Sequence, residues 1–82
     1  MSQERTFNTV YHRDYYGVWS AYVTEIDGRA VKTGDSLIPN APSKEIAKAG
    51  LRQFLKQMVG RDRVQEYREI EEVIGASPIV EK

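Results

Sequence analysis

Apolar and aromatic residues are interspersed with polar ones along the first half of the chain, in the manner of extended strands, and in segment 15–33 they lie on both faces. Segments 5–12, 17–26 and 29–37 are the predicted strands. The last two flank the pair Asp27-Gly28, which favours a two-residue type I′ turn between antiparallel strands. The pattern therefore predicts a three-stranded antiparallel meander. Segment 38–42, which contains two prolines, is predicted to be a loop.

Helical spacing replaces this pattern after residue 42. Ser43 is a good N-cap, and Gly60 is a good residue to follow the last turn, so we expect a helix over 43–59. Gly50 lies in the apolar stripe of this helix and costs about 1 kcal/mol relative to alanine. We expect it to allow close approach of the helix to the sheet. The stripe consists of Ile46 or Ala47, Gly50, Leu51, Phe54, Leu55, Met58 and Val59.

Segment 63–74 predicts a second helix, because Val64, Tyr67, Ile70 and Ile74 recur at spacings of three, three and four. A strand is the alternative, since three of these residues would also share one strand face. In a strand, however, three charged residues would interrupt that face. They are Glu66, Arg68 and Glu72.

The predicted fold class is α+β, with a three-stranded antiparallel sheet packed by one long helix and a second, shorter C-terminal helix. A chain of 82 residues allows one domain, 1–82, in which we expect 1–4 and 76–82 to be flexible. One helix covers only one face of a sheet. The pattern leaves open which face is the core, because apolar residues lie on both.

Composition narrows the class of function. The chain has 12 basic and 12 acidic residues, a balance that argues against a dedicated DNA-binding protein. It has no cysteine, which excludes disulfides and zinc–thiolate sites. No apolar run approaches the roughly 20 residues that span a bilayer, and segment 1–10 has no apolar signal-peptide region. We therefore expect a cytoplasmic protein without a membrane segment.

Catalytic motifs are not evident in the sequence. His12 and Asp14 are spaced as a metal-binding or acid–base pair. The more frequent explanation is structural: the histidine ends a strand and the aspartate belongs to the turn that follows. The glycines are scattered singly, and no nucleophile motif occurs. We expect no enzyme activity, no metal site and no cofactor.

Five aromatic rings within twelve residues are more than one thin core layer absorbs. They belong to Tyr11, Tyr15, Tyr16, Trp19 and Tyr22. We expect Tyr22 in the core, and we expect Tyr15, Tyr16 and Trp19 to contact a partner. Arg29 and Lys32 belong to the same predicted partner-binding group. An exposed sheet face with Trp19 and Val23 also predicts a homodimer, formed through paired faces or paired edge strands.

Basic residues recur every four positions along the long helix, at Lys44, Lys48, Arg52 and Lys56. This stripe indicates contact with nucleic acid or an acidic partner, or else an ordinary solvated face. Acidic residues of segment 63–74 offer a third explanation, because they can neutralise the stripe within the monomer. They are Glu66, Glu69, Glu71 and Glu72.

Segments 19–23 (WSAYV), 33–36 (TGDS) and 43–47 (SKEIA), with Gly28 and Leu51, resemble HicB-like antitoxin domains. This resemblance implies a sheet-and-helix module that binds and neutralises a small RNase toxin. The family's Pro-Gly-Cys step before the third strand is missing here. The hairpin and helix start also resemble the arm-binding domains of phage integrases, which bind nucleic acid.

We therefore expect a small, non-catalytic protein-binding regulator or inhibitor that acts through an aromatic sheet face, with a toxin or host factor as partner. The alternative is a nucleic-acid-binding module of the integrase arm-binding type.

Overall fold

A computed structural model describes residues 4–75 of the chain. Its elements, in chain order, are β1 (Arg5–Arg13), β2 (Trp19–Ile26), β3 (Arg29–Ala30), α1 (Thr33–Ser36), β4 (Ile38–Ala41), α2 (Lys44–Val59) and β5 (Tyr67–Gly75). A 3₁₀ turn, Val64–Glu66, precedes β5. The termini expected to be flexible lie outside the described residues, except for Glu4, whose carboxylate accepts a hydrogen bond from Arg68.

The strands form one mixed, five-stranded sheet in the order β3-β2-β1-β5, with β4 also paired to β2. β1 is antiparallel to β2 and parallel to β5. The helix α2 therefore connects β4, beside β2, to β5 beyond β1. The predicted α+β class is confirmed, but the predicted three-stranded antiparallel sheet is incomplete.

The hairpin turn is confirmed. Asp27 and Gly28 have φ values of 54° and 80°, as a type I′ turn requires, and Ile26 pairs with Arg29. The third strand, however, ends at Ala30 rather than continuing to residue 37. Beyond Ala30, the side chain of Ser36 satisfies the backbone of β2 where a strand partner is missing. Its hydroxyl accepts a hydrogen bond from Val23 N–H and donates one to Val23 C=O.

The predicted loop at 38–42 is wrong for most of its length, because Ile38–Ala41 form β4 on β2. Proline is tolerated at position 39 because this short strand lies at the edge of the sheet, where a missing N–H leaves no ladder partner unpaired.

The long helix is confirmed at both ends. The Ser43 hydroxyl accepts a hydrogen bond from Ile46 N–H at 3.2 Å, and α2 begins at the next residue, Lys44. Gly60, with φ of 96°, follows the last helical residue and donates its N–H to Lys56 C=O. Gly50 does approach the sheet closely, against Ile38 of β4.

The predicted second helix is wrong beyond Glu66, because residues 67–75 form β5. Of the charged residues that argued against a strand, Glu66 pairs with Arg5 and Arg68 pairs with Glu4, while Glu72 is exposed. Glu69 and Glu71 lie on the face that α2 covers and bind lysines of that helix. Carboxylates are tolerated on this face of the strand because the lysines of α2 neutralise them.

The core lies between α2 and one face of the sheet. This settles which face is buried: it is the face with Phe7, Tyr11, Ala21 and Val23, not the opposite one. From the helix, Ala47, Leu51 and Leu55 pack against these residues, and Val64 closes one end. The longest helix has 16 residues, and among residues 4–75 no helix combines the length and apolar character needed to cross a membrane.

Candidate functional site

The face of the sheet opposite α2, here called the open face, is the most extended candidate surface. Its side chains form three rows across β2, β1 and β5. The middle row is Tyr22, Val10 and Glu72, and it is flanked by the rows Ser20, His12, Ile74 and Glu25, Asn8, Ile70.

Apolar side chains lie on all three strands of this open face, with Glu72 among them in the middle row. Val10 is only 8 % exposed, although no helix of the described residues covers it. Ile70 and Ile74 are 41 % and 44 % exposed, and Tyr22 is partly buried. Tyr22 was expected in the core, but it lies on the open face. Val10, Tyr22, Ile70 and Ile74 are here called the apolar strip. Glu25 and Glu72 are exposed on the same face beside it.

The helix-covered face carries a polar network around Glu69. One oxygen of its carboxylate accepts hydrogen bonds from Thr9 Oγ1 at 2.6 Å and from Tyr11 OH at 2.5 Å. The other oxygen lies 3.3 Å from Lys48 Nζ. Burial of the Tyr11 hydroxyl, together with its hydrogen bond to Glu69, raises the pKa of Tyr11 above its usual value. Thr9, Tyr11 and Lys48 thus have a structural role, because they hold β5 to β1 and to α2 through Glu69.

Lys44 extends this network. Its ammonium lies 2.9 Å from the Glu71 carboxylate and 5.2 Å from the centre of the Tyr11 ring. The hydrogen bond from Lys44 lowers the pKa of Glu71. Lys48 also lies 3.5 Å from Glu71. Two of the four cations in the predicted basic stripe are thus neutralised within the monomer. This agrees with the explanation that acidic residues of segment 63–74 compensate the stripe, although they lie on a strand and not on a helix.

Arg52 and Lys56, the other half of the stripe, form no ion pair within residues 4–75. Arg52 is exposed on α2, and Lys56 is half-buried. The stripe is therefore two separate pairs of cations with different surroundings, not one continuous basic surface.

Tyr15 and Tyr16 lie in the turn after β1 and are 74 % and 86 % exposed. Their rings meet edge to face at 5.5 Å. Asp14 holds the turn, because its carboxylate accepts hydrogen bonds from the backbone N–H groups of Tyr16 and Val18. This is the turn role predicted for Asp14, while His12 is exposed on the open face.

Trp19 lies on the helix-covered face, where it is partly buried and packs against the core cluster. Its neighbours on the strand face, Ala21 and Val23, are fully buried. The expectation that Trp19 and Val23 form an exposed aromatic sheet face is therefore incorrect. Tyr15, Tyr16 and Trp19 do not form one surface with Arg29 and Lys32, which lie beyond the far end of β2.

Arg29 lines a cleft of about 650 Å³ at the hairpin end of the sheet. Arg5 and Arg63 also line it, over an apolar wall from the hairpin and the end of α2. Arg5 is engaged, because it lies 3.0 Å from the Asp27 carboxylate, which also accepts a hydrogen bond from Tyr67 OH. Lys32 is exposed and precedes α1.

Sequence reasoning did not select Val10, Ile70 or Ile74 as site residues. The signal was present, because Ile70 and Ile74 share one face of segment 63–74 if that segment is a strand. The helical interpretation placed them against a core instead.

Comparisons of the chain with protein-family models, curated proteins and solved structures found no match. The function is therefore inferred from the surfaces of the chain itself.

Proposed function

We propose that this protein is a non-catalytic binding module, a small regulator or inhibitor that binds another protein through the open face of its sheet. The observation that carries the proposal is the apolar strip on that face, in which Ile70 and Ile74 are exposed, Tyr22 is partly exposed, and the buried Val10 lies on the strand between them. Contiguous apolar surface that is accessible to solvent is typical of protein interaction sites.

The charges around the strip define the chemistry of the partner. Glu25 and Glu72 are both exposed on the open face. A partner with an apolar centre and basic residues at its rim complements this surface, and opposite charges favour fast and specific association. A phosphate backbone is repelled by the same carboxylates.

The alternative, binding of nucleic acid through Arg29, Lys32 and the basic stripe of α2, has less support. Contact with phosphates needs cations that are available to replace counterions. Lys44 and Lys48 are already bound to Glu69 and Glu71, so only Arg52 and Lys56 remain from the stripe. The protein-binding proposal is preferred for this reason.

Affinity capture from cell lysate tests the proposal. The wild-type chain is compared with Tyr22→Glu, which introduces a charge in the middle of the open face. The matched control is Ile46→Glu, which makes the same kind of change on the exposed surface of α2, where Ile46 is 52 % exposed. We expect a stoichiometric protein partner that Tyr22→Glu loses and Ile46→Glu retains, with the loss confirmed by calorimetry on the purified pair.

Two results contradict the proposal. One is recovery of nucleic acid without a stoichiometric protein, which favours the alternative. The other is a protein partner that both variants retain equally, because the open face then takes no part in binding.

A further inference from the structure

The two edges of the sheet are built differently. The edge beside β2 is short and interrupted, since β3 has two residues, β4 has four, and α1 lies between them. Pro39 lies within β4, and Asn40 has a φ of 57°. Short strands, prolines and irregular backbone are the means by which proteins prevent pairing at sheet edges.

The other edge has none of these features among residues 67–75. β5 has nine residues and pairs with β1 over its whole length without a register shift. Within residues 4–75, no strand pairs with its outer side. Ile70, Val73 and Ile74 of this strand are each more than 40 % exposed. A long, regular and partly apolar edge is a template for pairing with another strand.

We propose that β5 is a dimerisation edge, on which two copies of the chain pair antiparallel about a two-fold axis at Ile70. In this register, Ile70 lies opposite Ile70 of the second copy on the open face. Arg68 lies opposite Glu72 of the second copy, twice by symmetry. Tyr67 lies opposite Val73 on the helix-covered face. A second copy of the chain therefore fits this edge, because it offers opposite charges to Arg68 and Glu72 and an apolar contact to Ile70.

Symmetric registers centred on a glutamate are less favourable. In antiparallel pairing, residues directly opposite each other lie on the same face of the sheet, so the two-fold axis runs midway between the two copies of one residue. An axis at Glu69, Glu71 or Glu72 places that carboxylate opposite itself and leaves Arg68 with no acidic residue opposite it. The Ile70 register places Glu69 opposite Glu71 of the second copy, twice by symmetry, but each of these carboxylates already has a lysine partner from α2.

Arg68 remains available to the second copy although it binds Glu4. That bond uses Nε of the guanidinium, and the side chain is 60 % exposed. A guanidinium carries five N–H donors, so those on the two terminal nitrogens are available to bind Glu72 of the second copy.

A charge exchange tests the register on the purified protein alone, by sedimentation over a wide range of concentration. We expect the wild-type chain to be a dimer at high concentration. Arg68→Glu and Glu72→Arg should each raise the dimer dissociation constant by about tenfold or more, because each creates two like-charge pairs. The double variant restores opposite charges and should recover most of the affinity. Glu25→Arg, a similar change on β2, is the matched control and should have little effect.

A disulfide test reports the register directly, since the chain has no cysteine. Ile70→Cys places a thiol opposite its own copy, so mild oxidation should give a covalent dimer. Ile74→Cys is the control, because in this register its two copies are roughly 26 Å apart, eight residues at 3.3 Å each.

Three outcomes overturn the inference: a wild-type monomer at every concentration, a double variant as weak as the single ones, or equal crosslinking at positions 70 and 74. Loss of the dimer in Glu25→Arg also overturns it, by favouring pairing through the open face. None of these results depends on a heterologous partner, so the proposed function is tested separately.

Discussion

Glu69 shows how one residue converts a charged segment into a strand. Its side chain is 13 % exposed, and its carboxylate has three partners, Thr9, Tyr11 and Lys48, from two other elements. A carboxylate is tolerated at this depth only when such partners satisfy its oxygens. The interactions of this side chain thus join β5 to β1 and to α2 at one point.

Replacing the Tyr11 hydroxyl tests this network. Tyr11→Phe should lower the free energy of unfolding at neutral pH by about 1–2 kcal/mol, because a hydrogen bond to a charged group is lost. Chemical denaturation of the variant measures this change. Tyr16→Phe is the control, since Tyr16 is 86 % exposed, and it should have no measurable effect.

The same variant should also change the dependence of stability on alkaline pH. Burial and the Glu69 hydrogen bond raise the pKa of Tyr11 in the folded protein above its usual 10.0. The unfolded chain therefore loses this proton first, so the contribution of Tyr11 is complete below pH 10 and is lost as the pH rises further. Tyr11→Phe should make the decline shallower than in the wild-type chain. An unchanged decline contradicts the assigned role.

At the scale of elements, the distance between α2 and β4 is set at Gly50. A Cβ atom on this residue would lie 2.9 Å from Ile38 Cδ1 and 3.1 Å from Ile38 Cγ1. The sequence predicted the close approach, and the structure identifies its partner as the aliphatic side chain of Ile38.

A double-mutant cycle tests this contact. In the wild-type chain, Gly50→Ala should give no increase in stability, or a loss of up to about 2 kcal/mol, because overpacking opposes the helix propensity of alanine. In an Ile38→Ala background the space is free, and the same change should stabilise by about 1 kcal/mol. Thermal and denaturant unfolding measure both. Equal effects in the two backgrounds contradict the proposed contact.

At the scale of the whole molecule, the position of α2 decides which aromatic residues stabilise the fold. Trp19 packs against the core beneath the helix, whereas Tyr22 is on the open face. The two residues are three positions apart on the same strand, and the alternation of side chains puts them on opposite faces.

Matched substitutions should separate these roles. Trp19→Glu should lower the free energy of unfolding by about 2–4 kcal/mol, since it removes core packing and brings a carboxylate into its place. Tyr22→Glu should cost about 1 kcal/mol or less and leave the fold intact by circular dichroism. Equal destabilisation by the two variants would show that the open face is also part of the core.

Local patterns were enough to predict the type I′ turn at Asp27-Gly28, the capped helix Lys44–Val59, and the turn role of Asp14. Each depends on residues that are close in sequence. These are two positive-φ positions in the turn, a hydroxyl beside free N–H groups at the helix start, and a carboxylate two and four residues from its N–H donors. Such interactions form in the same way whatever surrounds them, so their residue types are informative by themselves.

Only the tertiary structure decided the state of 67–75, the buried face of the sheet and therefore the candidate site. Segment 63–74 fits both helical and strand spacing, and the choice depends on β1 beside it and on Lys44 and Lys48 above it. Both sheet faces carry apolar residues, and one helix covers only one of them. These outcomes depend on contacts between residues 60 or more positions apart, which no local pattern encodes.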